Sequence, residues 1–135
     1  MHDWNKNKKN VKKALKNNEN YLLMGTVNQG DYIQKSQILY VEASECYSWI
    51  HVKGDSKFLS SKPIGHYQEL FSKKNFSRIH RSYLINSSHL KRYEPRYRLV
   101  YLKEEIVLPV SYRKNREISK MIKNQESNTP FKMAV

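Results

Sequence analysis

From Leu22 to Val110 the apolar residues come in short runs that alternate with polar ones and end at turn signals, which is a strand pattern and not a helical one. LLMGTV (22–27) and a Gln29-Gly30-Asp31 turn lead into YIQ (32–34). SQILYVEA (36–43) and YSWIHV (47–52) follow, the second ending in Lys53-Gly54-Asp55, and then KFLSS (57–61). Ile50 and Val52 share one face of their strand while Tyr47, Trp49 and His51 share the other. Both faces carry large groups, so this strand is expected to be central or covered. HLKRYE (89–94) and YRLVYL (97–102) flank a Pro95-Arg96 hairpin turn, and Lys103-Glu104-Glu105 turns the chain again. In IVLPV (106–110), Ile106, Leu108 and Val110 share a face and Pro109 places the strand at a sheet edge.

Two segments read as helices. Ser60 and Ser61 offer caps, Pro63 suits a first turn, and Ile64, Tyr67, Leu70 and Phe71 have helical spacing, which predicts a helix near 63–72. Ser111 caps a second near 112–123, with Ile118, Met121 and Ile122 as its apolar residues. The fold class is mainly β. Residues 1–20 form a basic linker or N-terminal arm, 21–124 the domain, and 125–135 a flexible tail. A chain of 135 residues buries enough surface to fold without a disulfide or metal. Its single cysteine, Cys46, reads as a small half-buried strand residue and excludes an internal disulfide framework. No apolar run reaches the roughly 18 residues of a membrane span, and the leader lacks a signal-peptide core, so the expected location is the cytoplasm.

The sequence carries 25 Lys and Arg against 12 Asp and Glu. Between Ser72 and Lys123 there are 14 basic residues and four glutamates, whereas Tyr21–Phe71 is close to neutral. A surface this basic draws phosphate-rich partners. Catalysis is not expected. The five histidines, His2, His51, His66, His80 and His89, pair with no Cys, carboxylate or second His at metal-ligand spacing, and four scattered glycines make no phosphate loop. No cofactor is called for.

FSRIHRSYLIN (76–86) sets a basic, hydrogen-bonding group, Arg78, His80, Arg81, Ser82 and Asn86, inside an apolar frame of Phe76, Ile79, Tyr83, Leu84 and Ile85. PVSYRKN (109–115) repeats the device with Arg113 and Lys114, and Arg116 follows. In a regular strand Arg78 and Arg81 point to opposite faces and Ile79 shares the face of Arg81, so the chain is expected to turn near His80–Ser82 and lift Arg81 outward. Spacing alone leaves two readings open. Arg81 either meets a ligand or pairs with a glutamate, and His80 either meets a ligand or packs. Arg113, just inside a helix start, either meets phosphate or a guanine edge or belongs to a solvated basic face.

These segments, F-x-R-I-H-R-S-Y-L-I-N preceded by I-x-Y-V-E-A and followed by P-V-S-Y-R-K-N, resemble the LytTR DNA-binding domain, the output end of many bacterial two-component response regulators. The resemblance runs from about Leu22 to Ile122. It implies an elongated antiparallel β-sheet or sandwich with short helices. It also implies that loops, not a recognition helix, contact double-stranded DNA at promoter direct repeats, with domains that are monomeric when free and pair on DNA. The family's contact positions fall on the loop Glu45–Ser48, with Ser48 foremost, on Arg81 and on Arg113. The candidate DNA-binding set is therefore Ser48, Arg78, His80, Arg81, Ser82, Asn86, Arg113, Lys114 and Arg116. Such domains usually follow a receiver domain, and no acidic cluster or βα repeat of that kind is present. Either the chain is a stand-alone regulator or it is an output-domain fragment whose residues 1–20 are the linker, with the fragment slightly favoured. The competing reading is an RNA or single-strand binder that stacks bases on some of the ten tyrosines. A membrane-surface module is disfavoured, because no helix joins a strong apolar face to a basic one.

Overall fold

The computed structural model describes residues 20–24 and 31–126. The chain divides into two compact units, Met1–Ile38 and Leu39–Val135. In the first, β1 (Tyr21–Met24) and β2 (Asp31–Gln34) form an antiparallel pair that runs from Tyr21↔Gln34 to Met24↔Asp31. Leu22, Met24 and Ile33 are its buried residues. The Lys35 N–H donates to the Asn20 carbonyl (2.7 Å) and closes the open end of the hairpin. Lys35–Gln37 form a 3-10 turn, so the expected strand at 36–43 starts two residues later. The expected continuation of β1 to residue 27, the Gln29-Gly30 turn and the arm at 1–19 lie outside the described residues.

The second unit holds a five-stranded antiparallel sheet. Its strands are β3 (Ile38–Ser44), β4 (Tyr47–Val52), β5 (Ser56–Ser60), β6 (Phe76–His80) and β7 (Tyr83–Asn86), in the order β5-β4-β3-β7-β6. β4 lies between β3 and β5, as expected, and its period of two buries Ser48, Ile50 and Val52 together. Gly54 (φ +86) and Asp55 (φ 57) supply the left-handed backbone of the β4–β5 turn. Cys46 is not a half-buried strand residue. It sits exposed in the Glu45-Cys46 turn, where the left-handed Glu45 (φ 56) reverses the chain.

Helix α1 (Ile64–Leu70) is shorter than expected and is not capped by a serine side chain. Pro63, extended at ψ 163, is its N-cap. The Ser60 hydroxyl bonds the Tyr67 hydroxyl and accepts from the Lys62 N–H (3.1 Å), so it fastens the loop to the helix and does not cap it. α1 buries Ile64 and Tyr67, and Phe71, fully buried just past its end, stacks on Phe76 with ring centroids 4.4 Å apart.

A separate three-stranded sheet follows: β8 (Leu90–Glu94), β9 (Leu99–Leu102) and β10 (Ile106–Pro109), in the order β10-β9-β8. Pro109 is on an edge strand, where its missing N–H costs no ladder bond. Helix α2 spans Tyr112–Glu126, beyond the point at which the sequence loses apolar residues. Ile79 and Ile85 of the larger sheet, Tyr93, Val100, Leu102 and Leu108 of the smaller one, Val110, and Ile118 of α2 form one apolar core. That core fixes the β6–β7 hairpin against the start of α2. Among the described residues no helix is long and apolar enough to cross a membrane.

Phe71→Ala is expected to lower stability by about 3–5 kcal/mol in urea unfolding, because it empties a fully buried ring site. Phe76→Ala should cost less, since Phe76 is only half-buried. Equal losses, or a loss under about 1 kcal/mol for Phe71, would show that this stack does not anchor α1.

Candidate nucleic-acid interface

The β6–β7 hairpin turns at Arg81-Ser82. Its register breaks between Arg78↔Leu84 and His80↔Tyr83, leaving Ile79 as an extra residue. This bulge resolves the conflict in the alternation. Ile79 goes into the core at 0% exposure, while His80 is half-buried and Arg81 is released to the outside.

Arg78 holds this turn in shape. Its Nε donates to the His80 carbonyl (2.8 Å), one terminal nitrogen donates to the Arg81 carbonyl, and the other donates to Gln68 Oε1 of α1 (2.6 Å). Burial lowers its pKa from the ordinary arginine value. A guanidinium engaged in three bonds to the protein positions the turn. His80 also works inward. Its Nδ1 accepts from the Ser82 N–H (3.0 Å), which places the ring proton of the neutral form on Nε2. Burial, and then the charges of Arg81 and Arg78, hold its pKa below the usual histidine value. Ser82 is half-buried, and its carbonyl accepts from the Ala43 N–H (2.9 Å), tying the turn to the end of β3. Arg81 is exposed, and its guanidinium has no partner among the described residues.

The second motif meets the first through one backbone bond, from the Ser111 N–H to the Ile79 carbonyl (2.9 Å). Ser111 caps α2 as expected, its Oγ accepting from the Lys114 N–H (3.2 Å). Arg113 is exposed and unpartnered among the described residues, and Tyr112 beside it is 82% exposed. Lys114 is half-buried and pairs with Glu117 (3.2 Å), which offsets part of its charge; Arg116 is exposed further along the helix. The two motifs border a single cleft of about 510 Å³, with Arg78, His80 and Arg81 from the turn, Ser111–Lys114 from the helix start, and Gln68 from α1.

Two of the expected contact residues, Ser48 and Asn86, are buried. Ser48 is 0% exposed and its hydroxyl donates to the Lys62 carbonyl (2.7 Å). It shares the inward face of β4 with Ile50 and Val52. Asn86 is 4% exposed, and its side chain accepts from the Ser88 N–H (3.1 Å), capping the 3-10 turn Ser87–His89. Gln68 and Tyr112 line the cleft without having been singled out. Gln68 gives no sequence signal, being one polar residue on the solvated side of a short helix. Tyr112, between the capping Ser111 and Arg113, was legible by position.

The His80 geometry fixes the sign of a pH effect. A histidine with a depressed folded pKa favours the neutral form, so its contribution is complete above the unfolded value near 6.5 and is lost as pH falls through the lower folded value. In an NMR titration the His80 ring and the Ser82 amide should share one midpoint below about 6.5. A midpoint above that value would mean that the Nδ1 bond does not hold the turn.

A model of the LytTr DNA-binding domain matches residues 31–123. A search of curated proteins finds no match. Among solved structures, the LytTr DNA-binding domain of a methyl-accepting/DNA response regulator from Bacillus cereus shares the fold with a TM-score of 0.66. It is 20% identical in sequence, and the match covers 76% of this chain and 96% of that one. The family match takes in the five-stranded sheet, the three-stranded sheet and the start of α2, so this chain belongs to the LytTr DNA-binding domain family.

Proposed function

We propose that this chain is a sequence-specific transcription regulator that grips double-stranded DNA through two loops, the Arg81 turn and the Ser111–Arg113 helix start. One observation carries the reading. The two motifs, about thirty residues apart in sequence, border one cleft and send out the unpartnered, exposed guanidiniums of Arg81 and Arg113. A planar guanidinium can fork to O6 and N7 of guanine in a major groove or to a phosphate. Arg116 adds a backbone contact one turn further along α2. Arg78, His80 and Ser82 take part by shaping the turn, and Lys114 contributes a charge shared with Glu117.

The free chain is a monomer that pairs on promoter direct repeats, as the output part of a response regulator acting with a receiver domain. The single-strand alternative has less support. Tyr67 and Tyr93 are buried and Tyr40 stacks on His51 (4.1 Å), which takes these rings out of use for base stacking, while Tyr47, Tyr97 and Tyr112 stay exposed. Competition between duplex and single-stranded DNA of one sequence separates the two.

Arg81→Ala and Arg113→Ala should leave the thermal midpoint unchanged. On a duplex selected by the protein itself, each should weaken binding by about 1–3 kcal/mol in fluorescence anisotropy if it reads a base, with discrimination lost at one position. For about five neutralised phosphates, log K should fall with log salt at a slope near −4.5. Unchanged affinity in both variants, or a slope near zero, would remove this surface as the interface. For pairing, half-sites set about one helical turn apart place two domains on one side of the duplex. In gel mobility, adding about five base pairs should abolish binding by the pair, and adding about ten should partly restore it. Equal binding at all three spacings would mean that each domain acts alone.

A further inference from the structure

We infer that Arg98, whose guanidinium carbon lies over the exposed ring of Tyr112, is a third DNA contact, one that grips a backbone phosphate beside the helix start. The inference rests on the duplex-binding reading above and extends the surface to the β8–β9 turn.

Tyr112 opens α2 and leaves 82% of its surface in solvent, an unusual placement for a large ring beside a packed core. The Arg98 guanidinium carbon stands 4.0 Å from the centre of that ring. Its backbone is left-handed (φ 53), a conformation uncommon outside glycine, asparagine and aspartate. Two hydrogen bonds hold it. The Arg98 N–H donates to the Pro95 carbonyl (3.3 Å), and the Arg98 carbonyl accepts from the Val110 N–H (2.8 Å).

Val110 immediately precedes Ser111, whose N–H is bonded to Ile79. Consecutive amides therefore latch the helix start to two turns. The first bond continues the β9–β10 ladder, and the second leaves toward β6. Arg81 is delivered by one turn and Arg98 by the other, with Arg113 between them in the chain of contacts. The guanidinium of Arg98 has no acidic partner among the described residues. Tyr112 acts as its platform. A cation seated on an aromatic face keeps its N–H edge free for an anion, and the ring restricts the long side chain before DNA arrives. The ligand chemistry is a backbone phosphate, the anion that a guanidinium seated on an aromatic face can meet with its free N–H edge. Arg98 is thus a contact residue, and Tyr112 positions it.

The test uses the full chain, a duplex selected by the protein itself and a scrambled duplex, in fluorescence anisotropy across a salt series. Arg98→Asn removes the guanidinium while retaining a residue that tolerates left-handed backbone. It should weaken binding roughly five- to tenfold at 0.1 M salt on both duplexes and reduce the salt slope by about 0.9. Tyr112→Phe keeps the ring and should retain more binding than Tyr112→Ala. Tyr112→Ala should lose about as much as Arg98→Asn, and the double variant should lose no more than either single one. Unchanged affinity and slope in Arg98→Asn would overturn the inference, as would additive losses in the double variant. Arg113→Ala is the control that separates the two claims. If it weakens selected-site binding while Arg98→Asn does not, only the third contact fails. If the parent chain binds neither duplex, the DNA reading fails with it.

Discussion

The hydrogen bond from the Ser111 N–H to the Ile79 carbonyl joins the two halves of the candidate interface, and most of the surrounding structure serves to keep it in place. Ile79 can offer that carbonyl because a bulge drops its side chain into the core against residues from both sheets and from α2. On the other side, Ser111 closes the first turn of α2 and Val110 ties back to Arg98. Loss of the core contact at Ile79 would therefore shift Arg81 and Arg113 relative to each other before it unfolded either element. Interiors packed at crystal density repack between discrete arrangements and do not deform smoothly, so a displacement of this kind would be felt across the whole cleft.

Within that frame, the basic residues divide their work. Arg78 directs its guanidinium at two carbonyls of the turn and at Gln68, and so orders the loop that carries Arg81. His80, held neutral, directs a ring nitrogen at the Ser82 amide and leaves the neighbouring arginines without a further like charge. Such ordering before binding lowers the conformational cost of association, which otherwise subtracts from every contact made to the nucleic acid. A chain with this excess of Lys and Arg would attract DNA through charge alone. The hydrogen bonds of Arg78 and His80 fix the backbone of the turn that carries Arg81.

Much of this was legible in the sequence. The alternation of Ile106, Leu108 and Val110, the edge position of Pro109, the cap at Ser111 and the turn near His80–Ser82 all follow from local chemistry, and the structure has each of them. The resemblance found the family but carried Ser48 over as a contact, although its place between Tyr47 and Trp49 and two residues before Ile50 assigns it to the inward face. The cap read at Ser60, and the local bond made by Asn86, have a related reason. A short polar side chain caps or latches whichever backbone group lies nearest, and proximity of that kind is set by tertiary structure. The same limit hid Gln68, and it left Arg78 looking like a ligand group when its partners are carbonyls two and three residues ahead. The loop between the strands at 36–43 and 47–52 was expected, but Cys46 was still read as a half-buried strand residue; a left-handed Glu45 makes the turn that exposes it.

The central claim is that duplex DNA meets the two latched loops and not a helix face or a sheet face. The most direct measurement is an NMR titration of the chain with a selected duplex, following backbone amides and arginine side-chain N–H signals. The account predicts the largest changes at Arg81, Ser111–Arg113 and their guanidiniums, with the β3–β4–β5 part of the sheet unmoved. Changes concentrated on strands β4 and β5, or along α2 beyond Arg116 with Arg81 and Arg113 unaffected, would contradict it.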